Sequence, residues 1–167
     1  PVALIMARWL VAVDAVKKNK ATHFEKCYRW EGREALGQGS YGTVRAATHI
    51  QSSTSVAIKN FRNQCPQECE KQCLEELYCY IHLGHHPNIA RLVDVVTNSK
   101  GIGIVLQNAG ESLCCKKSIM HADVVNETCR QLICGLEYMH SKHLIHGDVK
   151  PDNVIVESVD WKGMPWT

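Results

Sequence analysis

The eight residues His146-Gly147-Asp148-Val149-Lys150-Pro151-Asp152-Asn153 constrain this chain more than any other stretch, because they set a carboxylate, a cation and a primary amide at fixed intervals behind a helix-forming segment. From Asp123 to Ser141 apolar residues recur at helical spacing (Val125, Leu132, Ile133, Leu136, Met139), and Leu144-Ile145 then leads into the polar run. Residues of these types suit work on a hydroxyl that attacks phosphorus. Asp148 could orient the hydroxyl and take its proton, Lys150 could neutralise charge on the group in transfer, and Asn153 would present an amide oxygen to Mg²⁺. A polar turn between helix and strand would use similar residues, since Gly-Asp and Pro-Asp are ordinary turn chemistry.

Far upstream stands Gly37-Gln38-Gly39-Ser40-Tyr41-Gly42-Thr43-Val44. Glycine lets the backbone approach phosphate oxygens and adopt positive φ without a Cβ penalty. Three glycines at this spacing also suit a dinucleotide-binding turn or a plain hairpin. The flanks separate these cases: Glu34-Ala35-Leu36 before the glycines and Thr43-Val44-Arg45-Ala46-Ala47 after them predict two short strands, whereas a dinucleotide-binding turn leads into a long helix.

Val56-Ala57-Ile58-Lys59 predicts a third strand ending in a lysine suited to phosphate. Pro66 is suited to open a helix, and Gln67 to Leu83 contains no further breaker. Ile89 to Thr97 and Gly101 to Leu106 predict two more strands about an Asn-Ser-Lys turn, and Val154-Ile155-Val156 another after the polar run.

Together these segments resemble the eukaryotic-type protein kinase domain, over nearly all of the chain from about residue 30. The matching motifs are the glycine-rich loop, the Val-Ala-Ile-Lys strand, the His-Pro-Asn-Ile turn at His86 to Ile89, and the catalytic loop around Asp148. The resemblance implies an α+β, two-lobe kinase-like fold: an N-terminal extension, expected to be helical, over 1–29, a small antiparallel-sheet lobe over 30–106, a hinge over 107–111 and part of a helical lobe over 112–167. It implies ATP and Mg²⁺ as cofactors and transfer of the γ-phosphoryl group to Ser/Thr hydroxyls of a protein substrate, the Ser/Thr preference being suggested by Lys150. Leu36, Gly37, Gln38, Gly39, Ser40, Tyr41, Gly42, Thr43, Val44, Ala57 and Lys59 would then bind ATP, with the backbone of Gln107 and Ala109 on the adenine edge and Leu106 at the back of the pocket. A carboxylate on the helix after Lys59 would hold that lysine, and alignment on the His-Pro-Asn-Ile turn favours Glu76 over Glu75. By the same resemblance Asp148 and Lys150 would be the catalytic residues and Asn153 the metal ligand. Two features depart from the family pattern: Gly147 stands where an arginine is usual, and the sequence contains neither Asp-Phe-Gly nor Ala-Pro-Glu. The second predicts a piece of a longer protein, cut before Asp-Phe-Gly and inactive by itself; the competing class is a pseudokinase that binds nucleotide or a partner without catalysis.

Composition narrows the remaining classes. A formal net charge of +2 with mixed signs gives no nucleic-acid footprint, and Lys17-Lys18-Asn19-Lys20 is too short a basic patch to change that. The apolar start, broken by Arg8 and followed by Asp14, is shorter than a membrane span and lacks the layout of a secretory signal. Nine cysteines without framework spacing predict free thiols in a reducing, intracellular compartment. Cys69, Cys73 and Tyr80 would share a helix face with Glu76, the thiols acting as small hydrophobes rather than in a zinc site.

Overall fold

The computed structural model describes residues 22–39, 42–61, 66–98, 101–108, 110–115 and 122–156. Its centre is one curled sheet built from Thr22–His23 (β1), Tyr28–Trp30 (β2), Gly37–Gly39 (β3), Gly42–His49 (β4), Ser55–Phe61 (β5), Leu92–Asn98 (β6) and Gly101–Gln107 (β7). The spatial order is β1-β6-β7-β5-β4-β2, with β3 also pairing β4. Every pairing is antiparallel except β1 on β6. This is the sheet lobe of a kinase-like α+β fold.

Period-two alternation gives the sheet two cores. On one face Ala47, Val56, Ile58, Val96 and Val105 pack with Phe24, Tyr28 and Trp30. On the other, Phe61 and Ile104, with half-buried Ile102, Leu106, Leu92 and Val95, meet Cys73 and Leu77 of the helix Pro66–Leu83 (α2). An irregularity in the β6–β7 register between Leu92 and Asp94 lets Leu92 and Val95 share a face despite their odd spacing. Because Val56 and Ile58 point to the first face, Ala57 and Lys59 point to the α2 side. Across the ladder, the Ala46↔Ala57 and Val44↔Lys59 pairs lie on that side too.

Residues 22–29, assigned by sequence to a helical extension, belong to this lobe. Only the single turn Phe24–Cys27 (α1) is helical there, and residues 1–21 lie outside the described residues. The segment runs from one edge of the sheet, where β1 pairs β6, to the other, where β2 pairs β4, and stacks Phe24 on Trp30 at 4.3 Å between centroids. A stretch this short carries no periodicity of its own, and the apolar face of the sheet decides its path. Glu34 to Leu36 form no strand; Leu36 N–H donates to Val44 O at 2.9 Å, and the strand starts at Gly37. Likewise β6 starts at Leu92 rather than Ile89, which closes a turn onto His86 O at 3.2 Å.

Helix α2 ends as its residues require, with Gly84 at φ +69 donating its N–H to Tyr80 O at 3.0 Å. The helix Ala122–Ser141 (α3) packs under that end. Tyr138 Oη donates to Leu83 O at 2.5 Å, His82 Nε2 donates to Lys142 O at 3.0 Å, and His86 stacks on Tyr138 at 4.6 Å. Gly135 is buried, with the Asn88 carbonyl oxygen only 3.2 Å from where a Cβ would stand. The residues buried on α3 are Val124 and Gly135; Val125 and Ile133, counted with the apolar face in the sequence, are exposed. The segment expected as a hinge, 107–111, begins at the end of one strand and ends in another. Gln107 ends β7, and Glu111–Ser112 (β8) pairs with Ile155–Val156 (β9). Among the described residues no helix is long and apolar enough to cross a membrane, and the eight described cysteines form no disulfide.

Candidate active site

Two constellations emerge from this scaffold. The first joins β5 to α2. Lys59 Nζ lies 2.5 Å from Glu76 Oε2 and 5.2 Å from the centroid of the Phe61 ring. About a quarter of each charged side chain is exposed, 24% for Lys59 and 26% for Glu76. Glu75, one residue back, is turned 100° around the helix and sits in solvent 3.9 Å from Lys71. The face of α2 that carries Glu76 toward Lys59 is the one that packs, with Cys69, Cys73, Leu77 and Tyr80 against the sheet. Burial, reinforced by Glu76, pushes the Cys73 thiol up to about 12, so it is a neutral packing group.

Above this pair lies the glycine hairpin. Gly37 and Gly39 in β3 pair with Val44 and Gly42 in β4. Gly42 must be glycine, because a Cβ there would run into the Asn60 carbonyl oxygen. Thr43 is buried and Gln38 exposed. Leu36, nearly half exposed, precedes the hairpin. Ser40 and Tyr41 lie outside the described residues, as does Ala109. Gln107, whose backbone the resemblance places at an adenine edge, donates its N–H to Arg91 O at 2.9 Å. Leu106 is half-buried in the core beside α2.

The second constellation follows α3. Gly147, at φ +75, turns the chain where a side chain would be strained. Asp148 Oδ2 is met by Lys150 Nζ at 2.9 Å and by Asn153 Nδ2 at 3.0 Å, and the same amide nitrogen donates to Asp148 O at 2.8 Å. Lys150, then Asn153, hold the Asp148 carboxyl below the ordinary aspartate range, and Asp148 in turn raises Lys150. Asn153 closes the one-turn 3₁₀ helix Pro151–Asn153. With its nitrogen bonded twice to Asp148, its amide oxygen is the end left for a cation. One neutral oxygen fits a Mg²⁺ that takes its other ligands from phosphate and water, not an all-protein cage. The described residues hold no cluster of three or more His, Cys, Asp and Glu that could bind a metal.

Comparison with known proteins identifies the family of the chain. A sequence model of the protein kinase domain matches residues 30–162. The chain belongs to the protein kinase domain family. It is 34% identical over 129 residues to the SNF1-like protein kinase ssp2 of Schizosaccharomyces pombe, an alignment covering 75% of this chain and 22% of that protein. To the carbon catabolite-derepressing protein kinase of Candida tropicalis it is 29% identical over 133 residues, covering 77% of this chain and 22% of that kinase. To the probable serine/threonine-protein kinase MARK-C of Dictyostelium discoideum it is 29% identical over 153 residues, 87% of this chain and 20% of that protein. The kinase chain thus spans about a fifth of the length of these relatives.

The residues that sequence reasoning missed lie beside the second constellation. Ser112, Leu113 and Cys114 all bond to the 151–154 segment. No motif marks them, since their partners are remote in sequence.

Proposed function

We propose that this kinase domain transfers the γ-phosphoryl group of ATP to serine or threonine hydroxyls of a protein substrate, with Lys59 and Asp148 at the centre of the two halves of the site. The observation that carries the proposal is the Lys59–Glu76 pair at 2.5 Å. A lysine between a glycine hairpin and a helix, fixed by a carboxylate, is held ready for the α- and β-phosphates. Leu36, Val44 and Ala57 line the adenine side, and the hairpin from Gly37 to Val44, including Gln38, Ser40, Tyr41 and Thr43, folds over the phosphates. The Gln107 carbonyl and the Ala109 N–H receive the adenine edge. Asp148, kept ionised by Lys150 and Asn153, orients the substrate hydroxyl and accepts its proton. Lys150 then neutralises charge on the transferred group. Mg²⁺, when bound through Asn153 and the phosphates, supplies charge neutralisation at the reacting oxygens. Free thiols and the mixed surface charge support action inside the cell on a protein rather than on nucleic acid or at a membrane.

The pseudokinase alternative is disfavoured by the joint presence of Lys59, Glu76, Asp148, Lys150 and Asn153. The test is Lys59→Met in the longest natural form of the protein, assayed for transfer from ATP to a protein substrate. Loss of turnover is expected, because a neutral thioether cannot hold phosphates in line. Wild-type turnover in the variant, or none in the unmodified protein, would refute the assignment.

A further inference from the structure

The 3₁₀ turn that presents Asn153 is fastened from outside by the segment after the hinge. The Ser112 hydroxyl lies 3.1 Å from Pro151 O and 3.1 Å from Asp152 O, its single proton shared between two carbonyls. Its lone pairs accept the Cys114 N–H at 3.3 Å. Around it Leu113 N–H donates to Val154 O at 2.7 Å, Glu111 pairs Val156, Ser112 pairs Ile155, and the Cys114 thiol points at Asp152 Oδ1 from 3.5 Å. The backbone bonds form whatever the side chains, and a thiol at that distance is a weak donor. Ser112 is therefore the one strong, residue-specific fastening in this group. The turn itself is small: Asn153 N–H to Lys150 O at 2.9 Å and Val154 N–H to Pro151 O at 3.3 Å, with no side-chain cap at Lys150.

We propose that Ser112 is a positioning residue for phosphoryl transfer. By bonding the Pro151 and Asp152 carbonyls it fixes the turn and keeps the Asn153 amide on Asp148, which holds the base in register with the segment that follows the hinge. Without the hydroxyl the carbonyls turn to water, the turn gains freedom, and the Asn153 contacts at 2.8 and 3.0 Å are the first lost. This inference rests on the kinase assignment above. Its consequence for the chain is local and does not: the backbone amides of Asn153 and Val154 are protected only while the turn stays closed.

The test compares Ser112→Ala and Ser112→Thr in the longest natural form of the protein. Ser112→Ala lowers kcat about tenfold, leaves the KM for ATP within about twofold, and speeds hydrogen exchange at Asn153 and Val154; Ser112→Thr, which keeps the hydroxyl, restores both readouts. Wild-type kcat and exchange in Ser112→Ala, or a loss that Ser112→Thr does not repair, would overturn the proposal. Should Ser112→Ala not fold, Ser112→Cys carries the test: kcat between zero and wild type with partly quickened exchange is expected, and values equal to Ser112→Thr overturn it. If Lys59→Met turns over normally, the kinase assignment fails instead, and the exchange data still decide whether Ser112 holds the turn.

Discussion

Glu76→Gln isolates what the carboxylate on α2 contributes to the site. The substitution keeps the shape of the side chain and an acceptor for Lys59, and removes only the charge. Unit charges about 4 Å apart at an effective dielectric near 20 attract by about 4 kcal/mol. Lys59 and Glu76 are 24% and 26% exposed, so solvent screens the pair and both groups give up hydration to form it. A net stability loss of roughly 1–2 kcal/mol remains, a shift of several degrees in Tm. The helix itself stays docked through Cys73 and Leu77, which are fully buried against Phe61 and Ile104. Catalysis suffers more, because an unanchored Lys59 samples positions in which it does not meet the phosphates. A loss of about 10²-fold in kcat/KM, equivalent to about 2.7 kcal/mol, is expected. Steady-state transfer from ATP to a protein substrate, run beside thermal unfolding, measures both. Glu75→Gln is the control, since Glu75 is two-thirds exposed and faces Lys71, and it should stay within about twofold of wild type. A Glu76→Gln enzyme within threefold of wild type, or equal losses in the two variants, would refute the reasoning.

Asp148→Asn should cut kcat by about 10²–10⁴-fold with nucleotide affinity nearly unchanged, as single-turnover kinetics and calorimetric ATP binding would report, because the role proposed for Asp148 is on the attacking hydroxyl and not on ATP. Gly42→Ala should weaken nucleotide binding about tenfold and lower Tm, since its Cβ forces β4 away from the Asn60 carbonyl; unchanged calorimetric affinity would contradict this. The Asp148 carboxyl is held low by Lys150 first and Asn153 next, so its contribution to the folded loop is complete above the unfolded aspartate value of about 3.9 and is lost as pH falls through the lower folded value. A ¹³C NMR titration should therefore find its midpoint below about 3.9, rising in Lys150→Met.

What the chain could show by itself was local. Pro66 and the breaker-free run to Leu83 delimit α2, Gly84 ends it, and the glycines, the strand lysine and the 146–153 run are each recognisable because their chemistry depends on neighbours a few residues away. The choice between Glu76 and Glu75 was of another kind. One residue is 100° of helix rotation, and only the packing of Cys73 and Leu77 on the sheet fixes which of them meets Lys59. The same holds for residues 22–29, drawn across the sheet because Phe24 and Tyr28 find an apolar face there, and for Val124, buried in place of Val125. Ser112 is the extreme case: a serine in a two-residue strand carries no signal, and only the pairing of β8 with β9 brings Pro151 and Asp152 to its hydroxyl. Residue spacing encodes what a segment does to its own backbone, whereas contacts between remote segments depend on which faces the packing turns toward each other.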